Sequence, residues 1–153
     1  MRRILLPFLT PLLSLNPLLV LTPLLLAGCV QDSTSYYIDD RDHALTLRAD
    51  QAYFWDDAVT LTLIAARLPE CQRQFVLTKV PLEELALELF SAGDQLYNLR
   101  AGSETWQIDT RTCTQGATPD GKALGQPLGT FRLTEEGKLA FERAQAGPAP
   151  APR

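Results

Sequence analysis

The run Val59-Thr60-Leu61-Thr62-Leu63 decides the fold class. Apolar and hydroxylic residues alternate strictly, and β-branched side chains are frequent. A period of two places Val59, Leu61 and Leu63 on one face of an extended strand and the threonines on the other. The same period recurs on both sides. Leu45 and Leu47 alternate with Thr46 and Arg48, and Phe75 and Leu77 with Gln74 and Thr78. Further on, Tyr97 and Leu99 alternate with Asn98 and Arg100, and Trp106 and Ile108 with Thr105, Gln107 and Asp109. One apolar face and one wet face is the pattern of antiparallel sheets.

Turn residues separate the runs. Ala92-Gly93-Asp94 and Ala101-Gly102-Ser103 supply glycines where a turn needs positive φ. The second joins the clearest hairpin in the chain. Val80 to Phe90 reads two ways. Pro81 with Glu83 and Glu84 suits a helix start, while Leu85, Leu87 and Leu89 alternate as a strand does. The turn after Phe90 favours a strand, with at most one helical turn at Pro81. From Thr114 to Gly129, four glycines and two prolines (Gly116, Pro119, Gly121, Gly125, Pro127, Gly129) break the pattern and predict a long surface loop. Phe131 and Leu133, then Leu139 and Phe141 across Thr134 to Gly137, predict a last hairpin; a short helix capped by Thr134 with Glu135 and Glu136 behind it is the alternative, weakened by Gly137. Six to eight short strands at this spacing imply a mainly β chain, a small antiparallel β-sandwich or barrel.

The N-terminus has a different character. Arg2 and Arg3 precede Ile4 to Ala27, a leucine-rich run without charge that ends in Leu26-Ala27-Gly28-Cys29. A basic start, an apolar stretch and small residues at a cut describe an export signal. The run is long enough to span a bilayer, but Pro7, Pro11, Pro17 and Pro23 count against a permanent helix. Leu-Ala-Gly-Cys directly after such a leader resembles the lipobox of bacterial lipoproteins. That resemblance implies cleavage between Gly28 and Cys29, a diacylglyceryl group on the Cys29 sulfur and acylation of the new amine, with palmitate among the chains. Two or three chains make a durable anchor where one is marginal. With Val30 after the cysteine, the resemblance implies the outer membrane, facing the periplasm.

The expected organisation is therefore a signal peptide over 1–28, a lipidated tether over 29–43, a β-rich domain over 44–146 and a disordered Pro/Ala tail over 147–153. The tether rests on Val30 to Ser35, which is polar and unpatterned. Removing 28 residues from 153 leaves 125, enough for one domain with its own core. Removing Arg2 and Arg3 from 14 basic residues leaves 12 against 18 acidic, a net charge of −6. That balance disfavours nucleic acid and bare anionic lipid as partners.

Of three cysteines, Cys29 goes to lipid, leaving Cys71 and Cys113. An even pair in a small exported domain reads as a disulfide. No Cys-x-x-Cys spacing points to redox or metal chemistry.

His43 is the only histidine and follows Asp39-Asp40-Arg41-Asp42. It invites a metal-site or general-base reading. Consecutive acids on a strand cannot converge on one centre, and no glycine provides the bend of a calcium loop. No nucleophile elbow, phosphate loop or dinucleotide fingerprint occurs. The expectation is no catalytic set, no metal and no cofactor. Tyr53-Phe54-Trp55 is the best candidate for a binding surface. Three aromatics in a row cannot all face one core, and exposed aromatics mark contact sites. Tyr36 and Tyr37 could join them.

Two functional readings follow. The first is a lipid-anchored, non-catalytic accessory or binding module for an envelope protein or glycan. In general plan it is similar to the small disulfide-bridged lipoproteins that include lysozyme inhibitors, with no residue of theirs carried over. The alternative is a hydrolytic or metal-dependent enzyme using His43 and nearby acids.

Overall fold

A computed structural model describes residues 31–53 and 55–145. The leader, Cys29, Phe54 and the Pro/Ala tail lie outside the described residues. Within them the chain is mainly β, in two antiparallel sheets. The first holds β1 (Gln31–Tyr37), β2 (His43–Asp50), β3 (Ala58–Arg67) and β4 (Cys71–Pro81), in that order. A 3-10 turn, Leu82–Glu84, carries the chain across. The second sheet is built from β5 (Ala86–Gly93), β6 (Leu96–Ala101), β7 (Glu104–Asp109), β8 (Thr114–Gln115), β9 (Gln126–Leu133) and β10 (Leu139–Arg143). Its order is β10-β9-β5-β6-β7-β8. The Val80 to Phe90 stretch thus resolves as a strand end, one 3-10 turn and a new strand.

The alternation seen in the sequence becomes the core. Leu45, Leu47, Val59, Leu61 and Leu63 of the first sheet are fully buried with Leu87, Leu89, Leu99, Ile108 and Phe131 of the second. The sheets face each other as a sandwich, and the polar positions look outward. In β4 a bulge opposite Leu61 and Thr62 resets the alternation, so Phe75 sits opposite Leu63 and Val80 opposite Val59. Trp106 packs against this core while staying partly exposed.

Three departures from the sequence reading have physical causes. Residues 31–37, assigned to the tether, form β1, paired with β2 from Gln31 opposite Asp50 to Tyr37 opposite Ala44. The β-domain therefore takes in residues 31–43 and does not start at 44. An edge strand joined by ladder bonds needs little apolar alternation, and β1 shows little. Its side-chain links are polar: Ser35 Oγ lies 2.8 Å from Thr46 Oγ1, and Asp32 Oδ2 accepts from the Leu139 N–H at 2.7 Å. Second, β9 starts inside the expected loop, at Gln126. Pro127 is tolerated where a bulge interrupts the ladder between Leu89 and Phe90. Third, the remaining loop, 116–125, is packed on the outer face of the second sheet. Asn98 Nδ2 donates to the Leu124 carbonyl at 2.9 Å, Thr105 Oγ1 donates to that of Pro119 at 3.0 Å, and Leu124 is buried. Gly125, at φ 106°, approaches the Ser91 carbonyl so closely that a Cβ would stand 2.1 Å from it.

The outer strands of the two sheets are tied to each other. On one side Asp32 of β1 holds Leu139 of β10. On the other, Cys71 at the start of β4 is bonded to Cys113, in the turn between β7 and β8, with an S–S length of 2.00 Å. The ladder registers also define two ends. One carries Gln31, the 51–57 loop and the 3-10 turn. The other carries the 38–42 and 68–70 turns and the disulfide.

The bridge closes 42 residues, for which loop-closure entropy gives about 4 kcal/mol. Replacing both Cys71 and Cys113 with serine is expected to lower unfolding free energy by about that amount in urea titrations. A fall below about 1 kcal/mol would show that the bridge constrains little.

Burial, followed by the charges of Tyr36 and Asp39, pushes the Tyr97 hydroxyl up to about 12. The fold favours its neutral form. That contribution is fully present below the unfolded value near 10 and is lost as pH rises through about 12. The urea midpoint is expected to fall over this window together with a late phenolate absorbance step. Tyr97→Phe should remove that step.

Candidate functional site

The loop between β2 and β3, residues 51–57, carries the most exposed aromatic surface described. Its backbone is fixed from several directions. The Asp56 N–H donates to the Tyr53 carbonyl at 2.9 Å, and the buried Gln51 amide donates to the Asp56 carbonyl. Asp56 Oδ1 accepts from the Ala58 N–H at 3.1 Å, and Lys79 Nζ donates to Asp56 Oδ2 at 2.8 Å. The Lys79 bond, then the Ala58 bond, hold the Asp56 carboxyl below its ordinary range. The Leu82 N–H donates to the Asp57 carbonyl at 2.8 Å and ties the loop to the 3-10 turn.

On this frame Tyr53 and Trp55 stack with ring centroids 5.1 Å apart and planes 8° from parallel. They are 57% and 67% exposed, among the largest values for apolar side chains in the described residues. The stack puts Tyr53 and Trp55 on one side of the loop, which the reading of three consecutive aromatics could not specify. Beside them is an open depression of about 450 Å³ floored by Ala58 and Pro81. An adjoining one of about 300 Å³ reaches Leu82, Glu83 and Glu84. Among the described residues no ion pair involves Asp57, Glu83 or Glu84. The surface is thus aromatic with an acidic rim.

Tyr36 and Tyr37 do not join it. Tyr36 packs at the core margin, 5.0 Å from Phe141 and 6.3 Å from Tyr97. Tyr37 is exposed at the opposite end of the sheet, where it pairs with Ala44.

His43 lies at that opposite end and is buried at 6% exposure. Its Nδ1 is 2.9 Å from Asp39 Oδ2 and its Nε2 is 3.2 Å from Thr110 Oγ1. Thr110 Oγ1 in turn lies 3.1 Å from the Gln95 carbonyl and 3.2 Å from Gln95 Oε1. Acid, imidazole and hydroxyl are connected as in a hydrolase relay. A nucleophile must be reachable, however, and Thr110 is 0% exposed. In this geometry the group links β2 to the turn after β7. Asp40 does not aim at the His43 ring. Its Oδ1 accepts from the Asp42 and His43 N–H groups at 2.9 and 3.1 Å, a local turn motif. Among the described residues no three His, Cys, Asp or Glu side chains are grouped to hold a metal ion. No helix among them is long and apolar enough to cross a membrane.

Sequence reasoning missed Thr110 and Asp32. Thr110 meets His43 from 67 positions away, and a lone threonine after a strand carries no signal. Asp32 was legible only as a polar residue near the cut.

No protein-family model, curated protein or solved structure matches the chain.

If the Asp39–His43–Thr110 unit is structural, removing either end destabilises the fold. Thr110→Val is expected to cost about 1–3 kcal/mol in thermal unfolding, because the buried imidazole nitrogen loses its partner. Tyr53→Ala and Trp55→Ala should each stay within about 0.5 kcal/mol of the parent protein, as exposed surface does. A silent Thr110→Val would remove the structural role.

Proposed function

We propose that the protein is a lipid-anchored lipoprotein of the bacterial cell envelope, a non-catalytic accessory or binding module facing the periplasm. The observation that carries this reading is Leu26-Ala27-Gly28-Cys29 at the close of an uncharged leader. The Cys71–Cys113 bond supports it, since disulfides persist in oxidising compartments. The exposed Tyr53–Trp55 surface on a braced loop supports a binding role, as contact residues commonly sit on loops held by a rigid scaffold.

The enzyme alternative has one specific observation behind it, the Asp39–His43–Thr110 connectivity. It requires an opening that exposes Thr110, and the disulfide at the same end of the sandwich opposes one.

The anchor is tested by mass spectrometry on protein purified from envelopes. The expected N-terminal peptide begins at Cys29 and carries diacylglyceryl and acyl mass. Cys29→Ser is expected to leave the leader attached. An unmodified Cys29 still joined to Gly28 would overturn the proposal.

A further inference from the structure

We propose that Tyr53 and Trp55 lie in the headgroup layer of the membrane that holds the Cys29 lipid, docking the domain by its 51–57 end. This rests on the lipidation reading above and names the occupant of that aromatic surface. The registers carry the inference. Cys29 precedes Gln31 by two residues, a reach of at most about 7 Å. Gln31 begins β1 directly opposite Asp50, the last residue of β2, from which the aromatic loop departs. Tyr53 and Trp55 follow Asp50 by three and five residues, so they lie within about 10 and 17 Å of it along the chain. The interfacial layer on each side of a bilayer is itself about 5–8 Å thick. A domain that starts so close to its acylated sulfur has its aromatic loop at the same level.

The side chains suit that level. Tryptophan and tyrosine concentrate at membrane–water interfaces, where an apolar ring and a polar tip are both satisfied. Tyr53 and Trp55 are the stacked, exposed pair of this end. The carboxylates beside them, Asp57, Glu83 and Glu84, fix the kind of surface. They repel anionic headgroups, so the fitting surface is zwitterionic.

The test uses the lipidated full-length protein in phosphatidylcholine vesicles with bromine near the headgroup end of the acyl chains. Trp55 and Trp106 are the two emitters, so Trp55→Phe isolates the contribution of the loop without touching the core. The expected result is loss of emission in brominated vesicles and reduced acrylamide access. Both effects should vanish in Trp55→Phe and weaken when phosphatidylglycerol is added. Equal quenching in the parent and Trp55→Phe proteins, or full acrylamide access to Trp55 on vesicles, overturns the placement. So does protection that arises only when envelope proteins are added. Cys29 acylation is measured on the same sample. With it confirmed, a negative result counts against membrane contact alone; with Cys29 unmodified, both the anchor and the contact fall.

Discussion

Neither sheet of this protein has a dry face unless the other covers it. Leu45, Leu47, Leu61 and Leu63 on one side and Leu87, Leu89 and Leu99 on the other are all fully buried, and each such side chain contributes about 1.5–3 kcal/mol when withdrawn from water. Mutual coverage dictates the remaining layout. All four strands of the first sheet precede all six of the second, and the chain changes layers once, through Leu82–Glu84. Every contact between layers is therefore non-local, apart from those next to that one turn. Sheets assembled this way can slide or splay at their edges. The Asp32–Leu139 hydrogen bond and the Cys71–Cys113 bond lie at the two edges where that would begin.

The two ends of the sandwich are braced by different means. At the disulfide end, the Cys71–Cys113 bond is joined by the buried His43–Thr110–Gln95 contacts, which bring β2 to the turns before β6 and after β7. Polar groups buried there are satisfied by one another, and none of the buried side-chain nitrogens and oxygens among the described residues lacks a partner. At the other end the bracing is shallower: a Gln51 amide, an Asp56–Lys79 ion pair and one backbone bond from Leu82. These hold the loop backbone while the rings of Tyr53 and Trp55 stay exposed. A loop whose frame is fixed beforehand spends little ordering entropy on contact.

What the sequence made legible follows from what alternation encodes. Strands with one wet and one dry face announced themselves, as Val59 to Leu63 and Tyr97 to Leu99 do, and so did the cysteine pair. Strands held mainly by ladder bonds did not. β1 has Ser33, Thr34 and Ser35 where a core strand would have leucines, and its pairing is set by backbone groups common to all residues. β9 was half hidden. Phe131 and Leu133 marked its end, but Pro127 and Gly129 read as loop until a bulge and a close approach to Glu142 account for them. For the candidate site, the count of aromatics at 53–55 indicated exposure but not geometry. The stacking of Tyr53 on Trp55 and the nearness of Gln31 to Asp50 exist only after folding.

The early start of β1 changes what the proposed anchor implies. A tether reaching to residue 43 would let the domain range over the membrane and turn any face toward it. With β1 paired from Gln31, only Val30 separates Cys29 from a paired strand, and lipidation as proposed would hold that end of the domain at the bilayer. The strands then set a height. β2 has eight residues and β3 ten, which at about 3.3 Å each is roughly 26–33 Å. With Cys29 lipidated as proposed and the strands upright, the disulfide end stands about that far from the membrane. A soluble partner would meet the molecule there or along the exposed edge of β4, where Val76 is 73% exposed. The aromatic loop would be left to the lipid. Under the proposed anchor, one short distance in the chain would thus distinguish a membrane-facing end from a periplasm-facing one, without any feature of the disulfide end taking part.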